Sequence, residues 1–99
     1  MAIQYSVSVN NARLDTVEST TGVSAVLKIF SGAQPANCAA ADPTGTLCTI
    51  TLPSDWMNAA SSASKTKLGT WSGTASGTGT AASFRIYEST ATPCHLQGS

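Results

Sequence analysis

From Ala82 to Glu88 apolar and polar side chains alternate, with Ala82, Phe84 and Ile86 on one face and Ser83, Arg85 and Tyr87 on the other. This period of two predicts a half-buried β-strand. Ser89 to Pro93 and then Cys94-His95-Leu96-Gln97 follow, which predicts a hairpin with a short loop. Val23 to Phe30 is rich in β-branched residues and ends at Ser31-Gly32, a turn signal. Its Ala25, Leu27 and Ile29 share one face and Val26, Lys28 and Phe30 the other, so both sides are expected to be covered. Leu47 to Leu52 repeats the pattern, with Cys48, Ile50 and Leu52 opposed to Leu47, Thr49 and Thr51. Lys67 to Ser72 is read as a further strand, antiparallel to the Ala82 strand, and Gly73 to Gly79 as the mobile tip between them. The expected strands are thus about 23–30, 47–52, 66–72, 80–88 and 93–98.

The first twenty residues carry two periods at once. Ile3, Tyr5, Val7 and Val9 alternate like a strand, whereas Val7, Asn10, Leu14, Val17 and Thr21 recur at helical spacing. Ala12, Arg13, Leu14 and Glu18 are good helix formers and Gly22 is placed to stop a helix, so a helix over about 6–19 is expected. Its apolar stripe would bury Leu14 and Val17 against the sheet and leave Arg13 and Glu18 on the wetter side. Between the strands, Gly32 to Gly45 has two prolines and no periodicity, and is expected to be a long surface loop used as a contact element. Within it Gln34, Pro35, Ala36, Asn37, Asp42 and Pro43 are the expected partner contacts. Ser54 is expected to cap a single helical turn that packs Trp56 and Met57 on the end of the sheet.

The fold expected from this pattern is mainly β: an antiparallel β-sandwich or jelly-roll-like sheet of about five or more strands with one N-terminal α-helix. A length of 99 residues limits it to a single domain, 1–99, with the β-rich part at 23–99. A chain of this size buries only about 60–65% of its unfolded surface, so neighbours are expected to add stability. Charge points the same way: only 10% of residues are charged, and five basic residues balance five acidic ones. A neutral, charge-poor surface offers little repulsion between copies, which favours a homo-oligomer. Arg13, Lys28, Lys65, Lys67 and Arg85 are scattered and form no basic run, which argues against nucleic acid as a partner. No apolar run approaches the ~20 residues of a membrane span, and the N-terminus lacks the pattern of a signal peptide, so no membrane is expected and synthesis is expected in the cytoplasm.

Candidate chemistry is sparse. Cys94 and His95 are sequence neighbours, so on a strand they face opposite sides and cannot act as nucleophile and base. A zinc site from Cys38, Cys48, Cys94 and His95 would need both neighbours on one ion and lacks a C-x-x-C half-site. Asp15 and Glu18 share a helix face, read as a solvated surface. Gly73 to Gly79 has neither the Lys-Ser/Thr of a P-loop nor a helix after it. With no converging acid, base, nucleophile or metal set, the chain is expected not to be an enzyme and to carry no cofactor. Three cysteines in a reducing compartment read first as buried free thiols. A single disulfide formed after release from the cell is the sharper alternative, Cys38 with Cys94 or Cys38 with Cys48. Trp56, Trp71 and Tyr87 could form an aromatic platform for sugars, which would make the chain a carbohydrate-binding module, although aromatics in so small a domain are more often core.

The segments Asn11-Ala12-Arg13-Leu14-Asp15, Val26 to Gly32, Leu52-Pro53-Ser54-Asp55-Trp56-Met57, Phe84-Arg85-Ile86-Tyr87 and Cys94 to Ser99, in this order, resemble a family of small phage and prophage proteins. None of these segments is an enzymatic signature. The resemblance implies a structural protein of a tailed-bacteriophage virion, made in the host bacterial cytoplasm. Joined to small size, neutrality and the long Pro/Ala loop, it implies a capsid decoration (cement) protein, with the major capsid protein as partner and a trimer as the favoured assembly. A tail, collar or fibre component is the alternative place in the particle. Members resembling this chain continue past the Gln97-Gly98-Ser99 segment with further strands, which implies either a naturally short protein or an absent C-terminal part, and makes the expected strand count a lower bound.

Overall fold

A computed structural model describes residues 2–99. One helix, α1 (Val7–Thr21), precedes four strands, β1 (Val26–Phe30), β2 (Thr46–Thr51), β3 (Ser83–Tyr87) and β4 (Cys94–Gly98). The strands form one antiparallel open sheet in the order β2-β1-β3-β4. The protein is therefore mainly β.

The helix begins where Ser6, in an extended conformation, accepts a hydrogen bond from the Val9 N–H at 3.2 Å, satisfying one of the amides that the first turn leaves free. It ends at Gly22, whose φ of +88° suits glycine and whose N–H donates to the Glu18 carbonyl at 2.8 Å. The stripe of Leu14 and Val17 is only half-buried. What docks α1 is polar. Asn11, Asp15 and Glu18, spaced to share one side, accept hydrogen bonds from the backbone N–H groups of Ala63 at 2.9 Å, Ala60 at 2.8 Å and Met57 at 3.0 Å. The expected division of the helix into a buried apolar and a wet polar side is thereby corrected, and Glu18 is an anchor.

One face of the sheet carries Leu27, Ile29, Cys48, Ile50, Phe84 and Ile86, packed with Ala25, Leu52, Trp56, Met57 and Trp71. Trp56 is fully buried, and its indole N–H donates to the Gly22 carbonyl at 2.9 Å, which ties the end of α1 to this core. The opposite face carries Val26, Phe30 and Tyr87, with Ala91 and Cys94 packed against them. The alternation expected for β1 and β2 is thus present. For β3 the expectation of a half-buried strand is corrected, because Ser83, Arg85 and Tyr87 are as buried as Ile86.

Residues 66–72 do not form a strand and do not pair with β3. Both neighbours of β3 are already taken by β1 and β4, and the segment contributes only the isolated bridge of Lys67 to Met57. Its Trp71 turns inward and donates its indole N–H to the Trp56 and Leu68 carbonyls, each at 3.2 Å. The Gly73 to Gly79 run is not a tip between paired strands either. It lies along β2, where Ser76 N–H donates to the Leu47 carbonyl at 2.7 Å. A β-carbon on Gly77 would stand 2.8 Å from the Thr46 carbonyl oxygen, so a close approach of two backbones explains this glycine. Ser54 lies in a bend, not in a helical turn.

Candidate functional site

The loop between β1 and β2 folds back over the second face of the sheet and closes on Arg85. Asn37 begins this closure, because its Oδ1 accepts from the Ala39 and Ala40 N–H groups at 3.0 and 2.9 Å, a turn stabilised by its own side chain. The turn aims carbonyls at the sheet. Arg85 Nη2 donates to the Cys38 carbonyl at 2.7 Å and the Asn37 carbonyl at 3.3 Å, and Nη1 donates to the Ala40 carbonyl at 3.0 Å and to Asp42 Oδ1 at 2.8 Å. The Tyr87 hydroxyl also donates to Asp42 Oδ1. Lys28 stands 4.0 Å from the other Asp42 oxygen and 5.1 Å from the Tyr87 ring centroid.

Burial, then the hydrogen bond and charge of Asp42, push the Tyr87 hydroxyl well above its ordinary pKa. Since a buried guanidinium must be paired to be tolerated, the loop and the strand depend on one another. Both Nη atoms of Arg85 are occupied by the chain itself, and its Nε and the Oε1 of Gln97 are buried without a protein partner among the described residues. Arg85 is therefore a structural cation, not one presented to an external anion.

A cleft of about 330 Å³ opens at this cluster, lined in part by Cys38, Asp42, Arg85, Tyr87 and Cys94. All three cysteines are free thiols. The Cys94 thiol donates to the Leu96 carbonyl at 3.4 Å, and burial, followed by the proximity of Cys38, raises the Cys94 pKa against the opposing charge of Arg85. Cys48 lies on the other face, in the main core.

A second ionic cluster fixes the connection after β2. Lys65 Nζ, 3% exposed as a side chain, donates to Asp15 Oδ1 at 2.7 Å, Glu18 Oε1 at 3.1 Å and the Asn58 carbonyl at 2.9 Å. Burial alone would lower the Lys65 pKa, but the hydrogen bonds that Lys65 donates to its two carboxylates outweigh it and hold the ammonium charged. The Lys65 hydrogen bond, and then the Ala60 N–H, lower the pKa of Asp15. A larger cleft of about 590 Å³ adjoins this cluster, with Asp15, Glu18, Asp55 and Trp56 in its wall.

The residues expected from sequence to meet a partner are divided by the fold. Gln34 and Ala36 are exposed. Pro35, half-buried, gives its carbonyl to Gln97 Nε2 at 2.9 Å, and Pro43 packs near Gly32. Asn37 and Asp42 serve the Arg85 closure. The loop thus grips its own sheet first and leaves only its outer side free. The aromatic platform is corrected: Trp56 and Trp71 lie together at 5.8 Å between ring centroids, but Tyr87 belongs to the opposite face, and Trp56 and Tyr87 are buried. His95 Nε2 sits 2.8 Å from Glu88 Oε2. Among the described residues no three His, Cys, Asp or Glu side chains gather as a metal site, and no helix is long and apolar enough to cross a membrane.

Two surface features remain. Ile3, Tyr5, Val7 and Val9 are between 44% and 78% exposed, four large apolar side chains in one short segment at the start of α1. In addition, β4 is an edge strand, paired to β3 on one side and to no further strand among the described residues on the other. Sequence reasoning noted the alternation of these four residues but not that helix formation would leave them without a core. No family model, curated protein or solved structure matches this chain.

Proposed function

We propose that this protein is a structural component of a tailed-bacteriophage virion, a capsid decoration protein that acts through protein–protein contacts and catalyses nothing. The observation that supports a contact role is its surface. The chain exposes 5998 Å², against about 5,200 Å² for a monomeric globular protein of this mass. Its Cα radius of gyration is 14.8 Å, against about 13 Å for a compact chain of this length. The exposed Ile3, Tyr5, Val7 and Val9 are the kind of apolar surface that an interface covers. The resemblance of its segments to small phage proteins is what suggests a phage particle as the place where that interface forms.

In this reading three copies associate through the apolar start of α1, and the edge of β4 that pairs with no further strand among the described residues accepts a strand from a neighbouring chain. Such addition would extend the four-stranded open sheet towards the sandwich or jelly-roll-like sheet of five or more strands. The exposed outer side of the Gln34 to Ala36 loop meets the major capsid protein. Neutrality suits this role, since hundreds of copies must lie side by side without mutual repulsion. Sedimentation equilibrium of the purified chain is expected to give three times the 10.0 kDa chain mass, and the chain is expected to co-sediment with phage heads stripped of it. A monomer that does not bind heads would overturn the proposal.

A further inference from the structure

We propose that Cys38 and Cys94 are a redox pair whose oxidation to a disulfide locks the β1–β2 loop onto the edge strand β4. Cys38 sits in the turn begun by Asn37, and its carbonyl is held by Arg85 Nη2 at 2.7 Å. Cys94 opens β4 opposite Tyr87 in the β3–β4 register. Both thiols line the 330 Å³ cleft that opens to solvent, and both are half-buried, so a small oxidant reaches them. They line the same cleft beside Arg85, where the Cys94 thiol donates to the Leu96 carbonyl at 3.4 Å. The third cysteine, Cys48, is buried on the other face with its thiol directed at the Thr74 carbonyl, 3.5 Å away. The odd thiol is thereby accounted for, and the two pairings that the sequence allows reduce to one.

The oxidant is a small-molecule disulfide such as oxidised glutathione. The Cys38 thiol loses its proton and attacks one glutathione sulfur, forming a mixed disulfide and releasing one glutathione thiolate. Cys94, deprotonated in turn, attacks the Cys38 sulfur, forming the intramolecular bond and releasing the second glutathione. Two protein thiols lose two electrons and two protons, and glutathione disulfide gains both. Arg85 beside the pair favours the Cys94 thiolate and opposes the burial that holds it protonated. The bond encloses more than half of the chain, a large constraint on the unfolded state. It also fixes the turn that supplies three carbonyls to Arg85.

The test is equilibration of the whole protein in reduced and oxidised glutathione buffers, followed by alkylation under denaturing conditions, intact mass and peptide mapping. The oxidised protein is expected to lose about 2 Da, to link the peptides containing Cys38 and Cys94, and to leave one alkylatable thiol, Cys48. Its Tm is expected to rise by roughly 10 °C or more, reversibly on reduction. Cys48→Ala is expected to keep the bridge, and Cys38→Ser and Cys94→Ser each to lose the bridge and the Tm rise. A Cys38–Cys48 bridge, a disulfide between two chains, or glutathione adducts without a bridge would each overturn the proposal. Because monomeric protein suffices, the result does not depend on any role in a particle.

Discussion

Arg85 in the central strand β3 and Asp42 in the β1–β2 loop form a 2.8 Å ion pair, with the arginine fully buried and the aspartate side chain 42% exposed. This asymmetry decides how the two positions respond to substitution. Arg85→Leu leaves the Asn37, Cys38 and Ala40 carbonyls without their donor and Asp42 with only Lys28, at 4.0 Å, as its cation, and is expected to cost about 3–5 kcal/mol. Asp42→Asn keeps a partly solvated acceptor, and is expected to cost about 1–2 kcal/mol. Urea denaturation of both variants measures the difference; equal losses would show that the pair is not asymmetric.

Lys65 joins the segment after β2 to α1, and its removal is expected to loosen that segment before the sheet. For Lys65→Met the expected loss is about 1–3 kcal/mol, because Asp15 and Glu18 regain water but the Asn58 carbonyl loses its donor. Amide hydrogen exchange at Met57, Ala60 and Ala63 should quicken, while exchange in β1 and β3 stays slow. Uniform acceleration across the sheet would contradict a local role.

Much of this was legible in the sequence, and the failures share one cause. The faces of β1 and β2 follow from alternation alone, and Ser6 and Gly22 mark the ends of α1 by local chemistry. By contrast, the burial of Arg85 depends on a loop more than forty residues earlier folding back over it, an event that leaves no trace in the period of β3. The docking side of α1 was missed for the same reason. Asn11, Asp15 and Glu18 share a helix side, but their partners are backbone N–H groups of a distant Ala/Ser-rich segment, which has no side-chain pattern to read. Residues 66–72 were misread because Leu68 and Trp71 suggest a strand whether or not an unoccupied sheet edge lies nearby.

Stability should fall at both ends of the pH scale. Burial and Asp42 raise the Tyr87 pKa from 10.0, so its contribution is complete below that value and is lost as pH rises towards the folded value. Lys65, raised from 10.5 because its carboxylate partners outweigh burial, acts in the same direction. Asp15, lowered from 3.8 by Lys65 and Ala60, contributes above 3.8 and loses its contribution as pH falls below it. Denaturation midpoints across pH 3 to 11 are expected to show a plateau between about 5 and 9. Tyr87→Phe should flatten the alkaline limb, and an unchanged limb would count against this assignment.

The exposed start of α1 offers a separation of folding from assembly. Ile3→Ser, Tyr5→Ser and Val7→Ser together are expected to change the stability of the monomer by less than about 1 kcal/mol, since none packs in a core. The same variant should sediment as a monomer. Retained oligomers would place the interface elsewhere, with the edge of β4 the next surface to alter.

The proposed role in the virion is tested most directly by quantitative mass spectrometry of phage particles purified from cells that carry the gene for this chain, with the major capsid protein as internal standard. The protein is expected in hundreds of copies, in a fixed ratio to the capsid lattice. Its absence from intact virions, or a copy number matching a single small ring, would contradict a decoration role.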